Sequence, residues 1–509
     1  MSRQIGVAAL IYGLANLLSR LIGLVREAVI GRTLGDGDGA DIFRASFVLP
    51  DYLLYLLAGG AISLVFIPLF QKHRADGDEA GGWRACAAVG NLLGLGALVL
   101  IAVAWWLAPV VAPKLAPGFA PEKQEALVSL YRIVLPTALF HAVGGLLSAT
   151  LQAEDRHSLP ALAPLVYTGC IVGAGLIWGP EYGEYAFAWG AVVGAALGPF
   201  GLPLLGAIRL GVRWRWRLEP SHPDVKRYFV RALPIMLGFS VVMVDDWLVT
   251  YFASEQGGLV AQMGYARTLM KVPMGVFGLA LGMAAFPTLS RMMNAGETVE
   301  AWSTLVRALR ALLLLAVLAQ VGLTVAGVQV AQVIWGSGRI DAQGLQDIGL
   351  YTGILCGGLM GWSAQGLVAR GFYARGQTWP PTVIGTIVVL AMLPVYWWLY
   401  GSYGGLGLGV ASSMSILVYV LLLMWALRRA LDGPRASGPG ITDLLVRLLP
   451  VAAGATALGI WVVGLLSEAM PPLLSGGIAG GGAVVITFVG AYALKVEETR
   501  WLIRRLLRR

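Results

Sequence analysis

Charged side chains standing inside long apolar runs are where chemistry can be read in this chain. The first run holds Arg20, Arg26 and Glu27, and the second holds Asp41, Arg44 and Asp51. The seventh holds Asp245 and Asp246; the eighth holds Arg267 and Lys271, one helical turn apart on a shared face. At the centre of a membrane helix each such charge costs ~2.5–3.5 kcal/mol on insertion scales, so each needs a partner or a watery cavity. At ~1.5 Å per residue Arg20 lies ~24 Å along its helix from Gln4, still at hydrocarbon depth, and Arg26 ~9 Å further, near the outer mouth. Arginine suits phosphate because its planar fork donates two hydrogen bonds at once. The functional reading is a hydrated cavity between two halves of the chain, lined with cations that attract an anionic headgroup. The competing reading is internal ion pairing, such as Arg20 with Glu27 or Arg44 with Asp41.

The elements that must position these residues follow from composition. Of 509 residues 57% are hydrophobic and 13% charged, against about 25% charged in a soluble domain. So many apolar side chains cannot all be buried away from water, so lipid must solvate much of the surface. The net charge of +9 is read as topological, basic residues gathering in cytoplasmic loops, rather than as a nucleic-acid footprint. Cys86, Cys170 and Cys356 fall in apolar segments without metal-ligand spacing and are expected to be packing residues without a disulfide. His73, His141, His157 and His222 are scattered; His141, in mid-helix, is read as a satisfied core imidazole. Arg20, Arg26 and Glu27 interrupt the first apolar stretch, so no cleavable signal peptide is expected.

A spanning helix needs ~20 mostly apolar residues, and the sequence offers fourteen candidates. The first begins near Gln4 and the second, starting near Asp41, is interrupted by Pro50. The third runs from Ala85 to Pro113, the fourth from Ala126 to Ala153, the fifth from Pro160 to Trp178 and the sixth from Tyr185 to Ile208. Phe229–Ala253, Leu259–Leu289, Trp302–Val330 and Ile348–Tyr373 follow. The eleventh and twelfth share the uncharged run Gly376 to Leu427, split at Gly401–Gly405; Leu444–Leu466 and Leu473–Leu494 complete the set. Arg and Lys concentrate in the even-to-odd loops, Arg209 to Arg227 above all, which places the N- and C-termini in the cytoplasm. The basic stretch Arg500–Arg509, with Trp501, Leu502, Leu506 and Leu507, has the pattern of an amphipathic helix lying on the inner leaflet.

The chain also repeats itself. Leu151-Gln152-Ala153-Glu154-Asp155-Arg156, followed by Pro160, is similar to Phe372-Tyr373-Ala374-Arg375-Gly376-Gln377, followed by Pro381, at an offset of 221 residues; Pro50 pairs with Pro273 at 223. Two related six-helix lobes are expected, residues 1–218 and 219–432, with helices thirteen and fourteen in 433–495 and the amphipathic helix in 496–509. The fold class expected is an all-α polytopic membrane protein. Pro50 and Pro273 remove helix hydrogen bonds, and with Gly275 beyond Pro273 they are hinge candidates; close packing at the glycines is the alternative.

No Walker-type loop, nucleophile elbow or helical His pair occurs, so no enzyme is expected. Ser19-Arg20-Leu21-Ile22-Gly23-Leu24-Val25-Arg26-Glu27, Asp41, Leu49-Pro50-Asp51, Gly60-Ala61-Ile62-Ser63 and Phe66-Ile67-Pro68 resemble the opening of the MurJ/MviN family. Pro273-Met274-Gly275-Val276-Phe277-Gly278, with Pro287-Thr288-Leu289-Ser290, resembles its eighth helix. This family is the lipid II flippase branch of the multidrug/oligosaccharidyl-lipid/polysaccharide exporter superfamily. The resemblance implies fourteen helices in two lobes, an alternating inward and outward cycle, and a groove by the last two helices for the polyprenyl tail. It implies a carrier of lipid II in the bacterial cytoplasmic membrane, among membrane lipids, and a monomer is expected. Arg20 and Arg26 match cavity arginines and Asp41 an acidic residue at the outer end of helix two; Arg44, Arg267 and Lys271 complete the expected substrate-binding set. Some members bind sodium through acidic residues in helices seven and eleven, which makes Asp245 and Asp246 the cation candidates; the eleventh helix here offers Thr382 and Thr386. No cofactor is implied, and the drive is left among Na+, H+ and the membrane potential. Leu54 and Tyr55 stand where the family has an arginine pair, and Thr268 where it has an arginine, with Arg267 one residue earlier. Alternatives stay open: a flippase for another polyprenyl-pyrophosphate-linked saccharide or a drug/cation antiporter, which these departures favour, and a non-transporting scaffold.

Overall fold

Lipid offers backbone N–H and C=O groups no partner, so a chain this apolar must satisfy them within its own segments, which favours helices. The computed structural model describes residues 21–58, 62–431, 440–500 and 503. Arg20, the start of the first helix at Gln4, the Gly59-Gly60 pair and most of the basic C-terminal stretch lie outside the described residues. Among the described residues every regular element is helical, with no strand. In order these are α1 (21–34), α2 (Asp38–Ala45), α3 (Val48–Ala58), a π-turn (Ile62–Phe66), α4 (Ile67–Ala75), α5 (Glu79–Leu115), α6 (Pro121–Val134) and α7 (Pro136–Ala153). Then come α8 (Ser158–Tyr182), α9 (Glu184–Ala195), a second π segment (Ala196–Gly201), α10 (Leu202–Arg209), α11 (Pro223–Ala253), α12 (Leu259–Asn294) and α13 (Thr298–Trp335). The chain ends with α14 (Ala342–Cys356), α15 (Leu359–Tyr373), α16 (Trp379–Ala430), α17 (Ile441–Ser467) and α18 (Pro472–Ala493). Among the described residues eight helical segments are long and apolar enough to cross a membrane, α6 and α7 counting as one, α9 to α10 as one and α16 as one.

The prolines act where helix geometry lets them. Pro136 opens α7 directly after α6, because its ring cannot continue the ladder. Pro50 stands third in α3, in the first turn, where a missing N–H removes no bond because the first four have no intrahelical acceptor. The break in the second apolar run falls before it, at Ser46 and Phe47, where the Ser46 hydroxyl donates to the Phe43 carbonyl at 2.7 Å. Pro273 lies inside the continuous α12. The two hinge candidates thus occupy different helical positions.

The repeat is written into the backbone. Residues with positive φ recur as pairs: Gly35 and Gly258 (223 apart), Gly77 and Gly296 (219), Asp155 and Gly376 (221), Gly183 and Gly404 (221). The turn closing α7 has Arg156 N donating to Leu151 O at 2.8 Å, and the turn closing α15 has Gln377 N donating to Phe372 O at 3.0 Å. Gly183, between α8 and α9, has φ 54° and ψ −131°; Gly404, inside α16, has φ 56° and ψ −134°. Only glycine adopts that region readily. The α16 break therefore falls in the Gly401–Gly405 segment and is the counterpart of the α8–α9 connection.

The chain divides into two compact units, Met1–Ala261 and Gln262–Arg509. Small residues let helices approach closely in each. In the first unit, a Cβ at Gly190 would lie 2.7 Å from the Ala174 Cβ, one at Gly194 2.7 Å from the Tyr167 carbonyl oxygen, and one at Gly198 2.5 Å from the Ala163 carbonyl oxygen. That four-residue spacing forms one stripe along α9 and its π extension, seated on α8. In the second, α17 and α18 pack on α13, with Gly476 against Gln329 and Gly480 against Ala326.

Candidate functional site

Glu27 occupies the inner face of α1 and is 2% exposed. A carboxylate so placed demands cationic donors, since its desolvation costs several kcal/mol. It receives them from both sides. Arg26 donates from Nε at 3.2 Å and from Nη2 at 2.7 Å to Oε1, and Arg44 donates from Nη2 in α2 to Oε2 at 2.5 Å. Two guanidinium groups share this one carboxylate. Arg26 is the more open partner, its side chain 31% exposed against 17% for Arg44. Arg44 pairs with Glu27 rather than with Asp41, a pairing that the 17-residue separation hid from sequence reasoning.

Asp41 takes a different set of partners. It is fully buried and accepts from the backbone N–H of Gly258 and of Ala261, each at 2.8 Å, and from Lys123 Nζ at 3.1 Å. Its two oxygens thus satisfy orphan N–H groups at the start of α12, as a capping side chain would, but from 217 residues away. Lys123 also reaches Asp38 at 2.7 Å and stands over the Phe119 ring at 4.5 Å. Beside this knot, Gly118 N donates to the Ser254 hydroxyl at 3.0 Å.

The other expected residues are placed singly. Arg267 is 7% exposed and donates from Nη2 to the Ser412 hydroxyl at 3.3 Å, whereas Lys271, one turn on, is exposed. Thr268 donates its hydroxyl to the Gly264 carbonyl at 3.0 Å. In α11 Asp245 is buried and Asp246 half-buried. Thr386 donates to the Thr382 carbonyl at 3.0 Å. Among the described residues no cluster of three or more His, Cys, Asp or Glu could hold a metal ion, and the three cysteines are free.

Three groupings escaped the sequence reading. Arg310 of α13 is 2% exposed and held by Glu498, Nε to Oε1 at 2.5 Å and Nη2 to Oε2 at 2.9 Å, and by the Gly440 carbonyl. An arginine inside the ninth apolar run was the available signal. His73 and His222 meet on one carboxylate: Asp224 lies 2.9 Å from His73 Nε2 and 3.7 Å from His222 Nδ1, with Arg227 at 3.2 Å. At the same end Asp78 caps α5, and its carboxyl is held below the usual range first by the Gly81 N–H at 2.8 Å and then by His73. The third grouping is the segment between α10 and α11. It starts at Gly211 and lies on α5, where Asn91 Nδ2 donates to the carbonyls of Arg215 at 2.7 Å and Arg217 at 3.0 Å, and Trp214 Nε1 donates to Asn91 Oδ1 at 3.0 Å.

A family model described as Lipid II flippase MurJ matches residues 30–474. The chain is 27% identical over 472 residues to a protein of Rhizobium meliloti named probable lipid II flippase MurJ, covering 90% of this chain and 88% of the relative. It is 28% identical over 455 residues to the lipid II flippase MurJ of Burkholderia cenocepacia, covering 88% of each. Among solved structures, a lipid II flippase MurJ in an inward closed conformation superposes with a TM-score of 0.78 at 18% identity, covering 97% of this chain and all of that one. A MOP superfamily transporter from Pyrococcus furiosus superposes at 0.62 with 14% identity, covering 84% and 95%. At these identities the structural likeness bears on the fold.

Proposed function

Because this chain belongs to the lipid II flippase MurJ family, we propose that it moves lipid II from the inner to the outer leaflet of the bacterial cytoplasmic membrane by alternating access. The curated relatives bear the name of that activity across 88% of their length or a similar share. The observation that carries the reading to residues is the triad on α1 and α2. Two arginines gathered around the Glu27 carboxylate concentrate positive charge there, with Arg26 partly open. A lipid-linked diphosphate is the anion that a partly exposed fork within an apolar helix is suited to bind. Arg20, Arg267 and Lys271 extend the proposed cationic set, and Asp41 orders the end of α2 on which Arg44 stands. The proposed architecture is fourteen spans in two duplicated lobes with α17 and α18 flanking the lipid tail, supported by the paired positive-φ positions.

The test is translocation of fluorescent lipid II in proteoliposomes with Arg26→Ala and Arg26→Lys. Losing a charge-assisted hydrogen bond of about 1.5–3 kcal/mol lowers transport by about 10- to 100-fold in Arg26→Ala, and the lysine variant falls between. Wild-type rates in Arg26→Ala at equal protein level and equal melting temperature would remove the triad from the reading. Imposing Na+, H+ or electrical gradients singly on the same liposomes identifies the drive.

A further inference from the structure

The segment from Leu210 to Leu218, directly after α10, belongs to no helix and carries an unusual surface. After the turn at Gly211, with φ +76°, the chain belongs to no regular element; burial alternates from Val212 to Arg215, and Arg217 N donates to the Arg215 carbonyl at 2.9 Å, a tight turn about Trp216. Val212 and Trp214 pack into the apolar cluster formed by α4, α5, α7 and α11. Trp214 fits because residue 90 is glycine: a Cβ there would lie 2.3 Å from its ring. Arg213, Arg215 and Arg217 fall on the alternate positions and are exposed, with Arg209 exposed just before them. Among the described residues Arg209, Arg213 and Arg215 have no carboxylate partner, and Arg217 meets only Glu219, at 3.7 Å. Trp216 breaks the alternation of burial. It is 90% exposed, its ring centroid 6.0 Å from that of the half-buried Trp214, and Leu218 is 54% exposed.

Height along α5 explains why a tryptophan stands bare there. From Gly81 to Asn91 this helix is buried except at Arg84. From Leu95 to Val110 it turns large apolar side chains outward, including Leu98, Val99, Val103 and Trp106. At ~1.5 Å per residue that outward face is ~23 Å long, and a ~30 Å hydrocarbon layer centred on it ends within a residue or two of Asn91. Asn91 is the residue that clasps the strap. The strap therefore crosses the helix at the level where hydrocarbon gives way to headgroups, the depth at which Trp is favoured and at which arginines meet phosphates.

We propose that the Arg213–Leu218 strap is a binding site for anionic phospholipid headgroups, with Trp216 and Leu218 entering the acyl boundary while Arg213, Arg215 and Arg217 contact the phosphates. Charge complementarity selects the anionic lipid: the strap presents three arginines against one carboxylate. The site is separate from the cargo triad on α1 and α2, and its occupation does not depend on what the protein transports.

Native mass spectrometry of the full chain released from nanodiscs of phosphatidylcholine with a minor share of phosphatidylglycerol tests the site. Each arginine near the surface contributes about fivefold to affinity for anionic lipid. Arg215→Gln is expected to reduce retained phosphatidylglycerol about fivefold, and the Arg213→Gln, Arg215→Gln, Arg217→Gln variant by more, with phosphatidylcholine adducts unchanged. Trp216→Ser, at a side chain 90% exposed that meets the Trp214 ring, is expected to shift the melting temperature little and to lower retention. Arg307→Gln, which removes an exposed arginine elsewhere, is the charge control. Equal phosphatidylglycerol retention in all variants overturns the proposal. So does displacement of the lipid by inorganic phosphate, which would assign the arginines to a soluble anion. A photo-crosslinker replacing Trp216 in cells should carry phospholipid mass; a cross-linked cytoplasmic protein in its place would equally overturn it.

Discussion

At the scale of single residues, the electrostatics of this chain are local and strongly paired. Glu27 is the centre of its triad, so its charge matters more than its hydrogen-bonding shape. Glu27→Gln leaves two guanidinium groups facing each other across a neutral amide. The expected loss is about 2–3 kcal/mol, below the ~3–5 kcal/mol of a fully buried pair because Arg26 is partly exposed. A lowered melting temperature in detergent checks this, and an unchanged one would mean that solvent already screens the triad. Asp78, at the start of α5, offers a pH signature. Its folded carboxyl is held low by the Gly81 N–H and His73, so its contribution is present above the ordinary carboxylate range and disappears as pH falls through the depressed value. The melting temperatures of wild type and Asp78→Ala should differ at neutral pH and converge below about pH 4. A gap that stays constant with pH contradicts this account of the cap.

At the scale of elements, closeness between helices depends on what is missing from their surfaces. The Gly190, Gly194 and Gly198 stripe brings the backbone of α9 and its π extension onto α8. Gly194→Val would drive a branched side chain into the Tyr167 carbonyl and Cys170. Overpacking of this kind costs about 1–3 kcal/mol, visible as a drop in melting temperature and in yield of folded protein. Gly169→Ala, with open space at its Cβ position, should be neutral in the same assay. The stripe stood in the sequence as glycines four apart, but that pattern is common in membrane helices and names no partner. The helix breaks were more legible. The Gly401–Gly405 cluster marked the interruption in α16, because glycine alone tolerates the backbone found at Gly404. Pro50 marked the interruption of the second run, which falls just before it, at Ser46 and Phe47, leaving the proline in the first turn of α3.

At the scale of the whole molecule, the loop charges predict an orientation with both termini in the cytoplasm. Single cysteines test it in a background with Cys86, Cys170 and Cys356 replaced by alanine. Pro220→Cys, exposed in the basic segment before α11, should react with a membrane-impermeant maleimide only after the cells are opened. Ser337→Cys, exposed after α13, should react in intact cells. The reverse pattern would invert the topology and with it the proposed direction of transport. The sequence by itself determined that this is a helical membrane protein, that it is internally duplicated at an offset near 221, and which family it resembles. Hydropathy, proline and glycine spacing, and short motifs are local properties of a chain, and lipid enforces them segment by segment. Which charge meets which was decided by tertiary structure alone. Arg44 on Glu27, Asp41 on the start of α12, His73 on Asp224, and Asn91 on the arginine strap join residues 17 to 220 positions apart. A Coulomb or hydrogen-bond partner is chosen by distance in space, and distance in space is a product of helix packing that a linear pattern does not carry.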